Sequence, residues 1–368
     1  MIILLISCMK GLGGTERSTQ TLAELLISRG HEIHLLGARG PLCEDIEQLG
    51  VKYFDLETHS TNLAENAKFF TTLNRLIKTY KYDCIHLQMA RPTVITVLAK
   101  LFAGSQTKII WHSRGIAART YMYIPRIFSF MGIRAIGNCQ AEQKKLIRYG
   151  FDKKRVGFLY NPCRIEQKIG SRTQFRAKYG FQSNDFVIGS LSRLHPTRGV
   201  NYAIEYFSEL CELYSQKDRL FLLIAGEGKE RANLMSLAAK SPASERIKFI
   251  GGIKNTEDFY AGIDLFWNPV AFIGDESAGT GNTVIEAAFQ KVPTVSHDWG
   301  GVNEIVIDGE TGALSPVADR KTFVKKTLDL ITNIELRNKI ITQALLHVSN
   351  LVSSQACVEK VEKYYLEL

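Results

Sequence analysis

Apolar positions along this 368-residue chain follow two rhythms. Short solid runs, "IILLIS", "EIHLLG", "CIHLQ", "KIIWHS" and "AIGNC", have the length and unbroken apolarity of strands buried on both faces. Between them lie longer stretches with apolar residues three and four apart. One of these, "GTERSTQTLAELLISRG", predicts a helix closed by Gly30. After "LYNPC" the alternation starts again, with "FVIGSLS", "LFLLIAGEG", "IKFIGG", "LFWNPV" and "VPTVSHD" as strands and helices between. Repeated strand-helix-strand units build parallel sheets. The expectation is therefore an α/β chain of two doubly wound parallel-sheet domains, joined near Asn161-Pro162, with a wholly helical segment from about 320 to 368. In such domains ligands sit beyond the carboxyl ends of the strands, so the cleft between the two is the expected active site.

Composition narrows the class. A hydrophobic share of 45% with 23% charged residues is that of a soluble globular protein. No run of eighteen apolar residues occurs, and "MIILLISCMKGLGG" reads as a buried first strand rather than a signal peptide. Seven cysteines without a CxxC pair point to a reduced, cytoplasmic protein without structural zinc. The net charge of +9 is uneven: residues 1–165 hold 23 Lys and Arg against 12 Asp and Glu, and the remainder holds 23 against 25. Between Asp83 and Glu142 there is no acidic residue at all. That one-sign segment, interleaved with "YMYIPRIFSFMG", suggests a face of Arg114, Arg119, Arg126, Lys144 and Lys145 toward an acceptor or an anionic membrane. Nucleic acid is disfavoured, because no recognition helix or aromatic platform accompanies the charge.

Three stretches carry candidate chemistry. "GLGGTER" places Gly13 and Gly14 between a strand and a helix, where backbone amides can approach an anion; a tight connection is the plainer reading. It is not GxGxxG and no acid ends the second strand, so dinucleotide binding is disfavoured. "GSLSRLHPTRGVNYAIEYF" sets Arg193 and Arg198 on a turn, spaced to grip a diphosphate. "ESAGTGNTVIEAAF" puts Gly279, Thr280, Gly281, Asn282 and Thr283 at a helix N-terminus suited to a phosphate. Glu286 follows in the next turn, where a carboxylate can accept both ribose hydroxyls. Together these describe a nucleotide-sugar site.

The tandem domains, "SRLHPTRG", "IAGEGKERANL" and "VIEAAFQKVPTVSHDWGGVNEIVIDGETGAL" resemble the GT-B glycosyltransferases of family GT4 over nearly the whole chain. The resemblance implies two Rossmann-like domains: 1–165 for the acceptor, 166–345 for the nucleotide sugar, and a C-terminal helix over 346–368 returning toward the first. Arg193 and Arg198 match the family's Arg and Lys on the donor diphosphate, and Glu286 matches the second glutamate of E-x7-E. The first glutamate of that motif is Ala278 here, which puts catalysis or sugar preference in doubt; Glu276 is the candidate substitute, with Asp275 behind it. Gly252, Ile253 and Lys254 resemble the segment whose backbone reads the base. His112, closing "KIIWHS", matches a histidine that faces the sugar and its phosphate, with His86 on the neighbouring strand as the lesser candidate. The resemblance further implies a retaining transfer from a UDP-sugar to a saccharide, lipid-linked or of lipopolysaccharide or capsule type. It implies no cofactor and no metal, and an enzyme peripheral on the inner face of the cell membrane. Ala278 leaves a non-catalytic sugar-nucleotide-binding subunit as the alternative.

Overall fold

The computed structural model describes residues 1–116, 118–161, 171–271 and 281–366. The chain divides into two compact units, Met1–Arg164 with Val352–Leu368, and Ile165–Leu351.

The first unit is built on β1 (Ile2–Ile6), β2 (Glu32–Gly37), β3 (Lys52–Asp55), β4 (Cys84–Leu87), β5 (Lys108–Ser113), β6 (Arg134–Gly137) and β7 (Val156–Phe158). They form one parallel sheet in the order β3-β2-β1-β4-β5-β6-β7. Its connections are α1 (Gly14–Ser28), α2 (Cys43–Gln48), α3 (Leu63–Tyr80), α4 (Thr93–Phe102), α5 (Ile124–Phe130) and α6 (Gln140–Arg148). Side chains alternate across each strand. Leu4, Ile6, Ile85, Leu87, Ile109 and Trp111 therefore share one face, where they meet Phe69 and Leu73 of α3, Ala99 of α4, Phe128 of α5 and Leu146 of α6.

The second unit runs α7 (Arg172–Tyr179), β8 (Phe186–Leu191), α8 (Val200–Leu213), β9 (Leu220–Ala225), α9 (Arg231–Ala239), β10 (Ile247–Gly251), α10 (Thr256–Gly262) and β11 (Leu265–Asn268). It continues with α11 (Asn282–Phe289), β12 (Thr294–His297), β13 (Ala313–Ser315), α12 (Arg320–Thr332) and α13 (Ile334–Leu351). The sheet is again parallel, in the order β10-β9-β8-β11-β12-β13.

The apolar runs did not mark β3, β7 and β13, and all three are sheet edges. β3 is only half-buried, and β7 and β13 are three residues each, so edge position spares them the solid apolarity of central strands.

The last helix, α14 (Ser354–Leu366), packs in the first unit, on the face opposite α3–α6. Glu362 accepts hydrogen bonds from His31 at 2.8 Å and Arg29 at 3.3 Å, and Tyr365 reaches His86 on β4. The Lys108 ammonium donates to the carbonyls of Tyr365 and Leu366, satisfying the end of the helix.

Candidate functional site

A doubly wound sheet binds ligands where its strand order reverses, at the carboxyl ends of the two strands flanking the reversal. In the second unit those strands are β8 and β11. Arg193 follows β8 and is exposed; Arg198 is half-buried at the end of a 3-10 turn, Pro196–Arg198. The loops after the two strands are stitched together, since the Ala271 amide donates to the Thr197 carbonyl at 3.1 Å. Gly199 makes that approach possible: its φ is 63°, and an added Cβ would stand 1.7 Å from the Pro269 oxygen.

Gly199 opens α8, and Gly281, with φ 69°, opens α11; neither helix start is capped by a side chain. Two helix N-termini thus face the same sheet edge as the arginines, an arrangement that favours phosphate. Asn282 and Thr283 lie in the first turn of α11 and are half-buried. Glu286 lies one turn on, half-buried between buried Ile285 and Ala287. The Tyr260 hydroxyl of α10 lies 2.9 Å from the Thr283 carbonyl and 3.1 Å from Glu286 Oε2, so α10 holds the carboxylate in place. No sequence signal marked Tyr260, because its partner is 26 residues away on another helix.

Gly252, Ile253 and Lys254 form the loop after β10 at the same edge, where the Gly252 amide donates to Glu227 Oε1 at 3.3 Å. Glu227, on the loop after β9, is a second group the sequence did not single out. Glu276, Gly279 and Thr280, with Ala278 and Asp275, lie outside the described residues.

In the first unit the order reverses between β1 and β4. Gly13 precedes α1 and Gly14 begins it, with no side-chain cap. The loop faces an anion of its own: a Cβ on Gly13 would stand 2.8 Å from Glu16 Oε2 and one on Gly11 3.0 Å from Oε1. The Glu16 carboxylate therefore lies close beside Gly11 and Gly13.

His112 is 1% exposed near the end of β5, and His86 is fully buried on β4; their rings stack at 5.4 Å. Burial depresses both, His86 to about 3 and His112 well below the ordinary histidine value, with Arg114 adding to the effect. Both imidazoles are therefore neutral at pH 7. Among the described residues neither His112 nitrogen has a hydrogen-bond partner, nor do His86 Nε2 and Gln88 Nε2. Such orphaned atoms cost on the order of 1–3 kcal/mol each unless water or a ligand hydroxyl meets them.

The basic face needs correction. Arg114 turns inward, donating to Gln88 Oε1 at 2.6 and 2.9 Å and to Asn161 Oδ1 at 2.5 Å. Burial lowers its guanidinium to about 10, against the pull of Glu16. Lys145 is half-buried, with its ammonium 4.0 Å from the centre of the Tyr121 ring. Arg119, Arg126 and Lys144 are exposed.

Among the described residues no group of three or more His, Cys, Asp or Glu comes together as a metal site, and no helix is long and apolar enough to cross a membrane.

Residues 171–347 match the family described as glycosyl transferases group 1, and residues 12–167 match glycosyltransferase family 4. Over 99% of this chain and 96% of the relative, it is 22% identical to the N-acetyl-alpha-D-glucosaminyl L-malate synthase of Bacillus anthracis. Over 91% and 92% it is 24% identical to a Campylobacter jejuni enzyme, N-acetylgalactosamine-N,N'-diacetylbacillosaminyl-diphospho-undecaprenol 4-alpha-N-acetylgalactosaminyltransferase. The fold matches that of HepE from Anabaena, solved with UDP-glucose, at a TM-score of 0.85 over all of both chains and 19% identity.

Proposed function

The chain belongs to the GT-B glycosyltransferases of family 4, and on that premise we propose that it moves a sugar from a UDP-sugar, with retention of configuration and without a metal, to a lipid-linked or lipopolysaccharide-type glycan. The observation that carries the donor half is the Tyr260–Glu286 pair at the head of α11, at the same strand ends as Arg193 and Arg198. Glu286 would accept the ribose hydroxyls, and the arginines and first-turn amides would take the diphosphate. UDP as the base-bearing half draws support from the UDP-glucose bound to HepE, whose fold this chain shares. The lipid-linked acceptor draws support from the Campylobacter relative, whose name specifies a diphospho-undecaprenol glycan.

In the proposed reaction the acceptor oxygen attacks the anomeric carbon on the face from which the diphosphate departs. The bond from that carbon to the phosphate oxygen breaks, and the acceptor proton passes to the leaving phosphate. Arg193 and Arg198 offset the charge that develops there, a task a bound cation performs elsewhere. His112, neutral, would contribute hydrogen bonds to a sugar hydroxyl rather than positive charge.

Thermal unfolding with UDP, GDP and ADP tests the donor site. UDP is expected to stabilise the chain by about 2.7 kcal/mol at roughly a hundred times its Kd, and Glu286→Ala to abolish the effect. No stabilisation by any nucleotide would overturn the reading. Ala278 favours a second reading, a sugar-nucleotide binder without turnover. Slow hydrolysis of the UDP-sugar by the isolated protein, unchanged in EDTA, separates the enzyme from the binder.

A further inference from the structure

Within the second unit, the ends of β12 and β13 enclose a pocket of about 490 Å³, the size of a small-ligand site. Trp299, half-buried after β12, lines it together with the apolar side chains of Leu314, Pro316 and Val317 from the end of β13. The two loops are tied together, since the Asp298 amide donates to the Ser315 carbonyl at 2.8 Å. Asp308 completes the lining as part of a closed pair. Its carboxylate accepts from the Leu314 amide at 2.8 Å and from the Lys326 ammonium at 2.5 and 2.6 Å. Lys326 also donates to the Leu314 carbonyl at 2.6 Å, so this side of the pocket is fixed and carries no net charge. Ala318, next after Val317, holds φ at 64°, a conformation costly for a residue with a Cβ and kept only by a firm surround.

The chemistry of the lining identifies the ligand. Asp298 is exposed at the mouth and accepts from the Asn303 side-chain amide on Oδ1 at 2.9 Å; among the described residues nothing meets its Oδ2. An indole, aliphatic walls and one uncommitted carboxylate match a pyranose, which has an apolar C–H face and a rim of hydroxyl donors. Phosphate fits badly, because two carboxylates and one ammonium leave the pocket negative. A cation fits less well than a sugar, since Trp299 is the one aromatic side chain lining the pocket among the described residues and Lys326 already meets the charge of Asp308. In the sheet order β12 adjoins β11, so the pocket lies beside the β8–β11 ends, on the side away from β10 and Gly252–Lys254. At about 4.8 Å per strand, roughly 10 Å separates the two positions.

We propose that the β12–β13 pocket is a saccharide subsite, in which a neutral pyranose stacks on Trp299 and sets hydroxyls on Asp298 Oδ2 and the Ser315 hydroxyl. The pyranose belongs to the acceptor glycan, at a unit other than the one that receives the new sugar. This deepens the reading of a glycan acceptor and rests on it for the origin of the ligand, while the binding itself needs no donor.

Tryptophan fluorescence of the full chain tests it selectively. The chain has three tryptophans, and Trp111 and Trp267 are fully buried, so quenching by acrylamide reports Trp299. The probes are the methyl glycosides of glucose, galactose, N-acetylglucosamine and N-acetylgalactosamine. At least one is expected to shield Trp299 saturably, equally with and without UDP, and with little dependence on salt. Asp298→Asn should weaken that binding about fivefold, because a neutral acceptor replaces a charged one. Its unfolding midpoint should not move, since the side chain is exposed. Trp299→Ala removes the ring, and saturation transfer from the protein to the C–H protons of the glycoside should disappear. Shielding by none of the four, shielding that Asp298→Asn leaves unchanged, or displacement of the glycoside by UDP-glucose would overturn the proposal. So would shielding by tetramethylammonium that salt abolishes, with none by the glycosides. UDP stabilisation reads the β8–β11 ends, so failure of the donor reading would show there and failure of the subsite only in the glycoside titration.

Discussion

The Tyr365 hydroxyl on the final helix lies 2.6 Å from Nδ1 of His86 on β4, 279 residues away, and the His86 ring stacks on His112. Burial raises the Tyr365 hydroxyl well above its ordinary pKa, so it keeps its proton and donates it. His86 then accepts at Nδ1 and carries its own proton on Nε2. The last helix thus fixes the tautomer and the tilt of an imidazole that buttresses His112.

Tyr365→Phe removes that donor and leaves Nδ1 buried without a partner. The loss of stability should be about 1–3 kcal/mol, read from urea unfolding. Nitrogen NMR of His86 should show the fixed tautomer in the wild type and a mixture in the variant. Unchanged stability together with an unchanged tautomer would contradict the coupling.

Stability should fall in mild acid for a reason located at the same pair. In the fold His86 titrates near 3 and His112 also well below normal, whereas both have the ordinary value of 6.5 when unfolded. Below pH 6.5 the unfolded chain takes up protons that the fold refuses. Their contribution is therefore complete above pH 6.5 and declines as pH falls toward the folded values, by roughly 1.4 kcal/mol per unit for each histidine. Glu362 acts in a lower window. Desolvation raises its pKa, yet hydrogen bonds from His31 and Arg29 hold it below 4.5, so its contribution fades only in stronger acid. Melting curves from pH 7.5 to 5 should decline, and His86→Gln should reduce the slope.

Nucleotide affinity should separate the two members of the donor-site pair. Glu286→Gln removes a charged acceptor and should weaken UDP binding about 10- to 100-fold, the equivalent of roughly 1.5–3 kcal/mol. Tyr260→Phe leaves the carboxylate but removes one of its hydrogen bonds, so a smaller loss of about fivefold is expected. Calorimetric titration distinguishes them, and equal effects would mean that Tyr260 does more than orient.

Gly199→Ala combines a left-handed φ of 63° with a Cβ placed 1.7 Å from the Pro269 oxygen. The loops after β8 and β11 would have to part, at a cost of about 3 kcal/mol or more in the second unit. Gly30→Ala, also at positive φ but with nothing within 4 Å, should cost only about 1 kcal/mol. Unfolding of the two variants checks the difference.

Central strands and helix α11 were legible because their signals are local. A strand buried on both faces is a solid apolar run, and Gly281 and Glu286 are tied by spacing on one helix. Arg114 and Lys145, by contrast, look no different in sequence from Arg126. One is drawn inward by Gln88 and Asn161 and another folds over Tyr121, partners that the fold alone brings near. The edge strands escaped notice for a related reason: with one neighbour and a half-exposed face they carry little apolar signature.

By itself the sequence determined the alternation of strands and helices, the two-sheet architecture, the position of the glycine-led helix α11 and the one-sign charge of the segment after Asp83. Those follow from periodicity, glycine placement and composition, which are properties of neighbours along the chain. Only the tertiary structure decided that Tyr260 reaches Glu286, that Tyr365 reaches His86, that Glu16 lies beside the glycines of the first loop, and which cations face outward near Phe130. Each depends on burial or on a hydrogen bond between elements far apart in sequence, and burial is settled only when the sheets and helices pack.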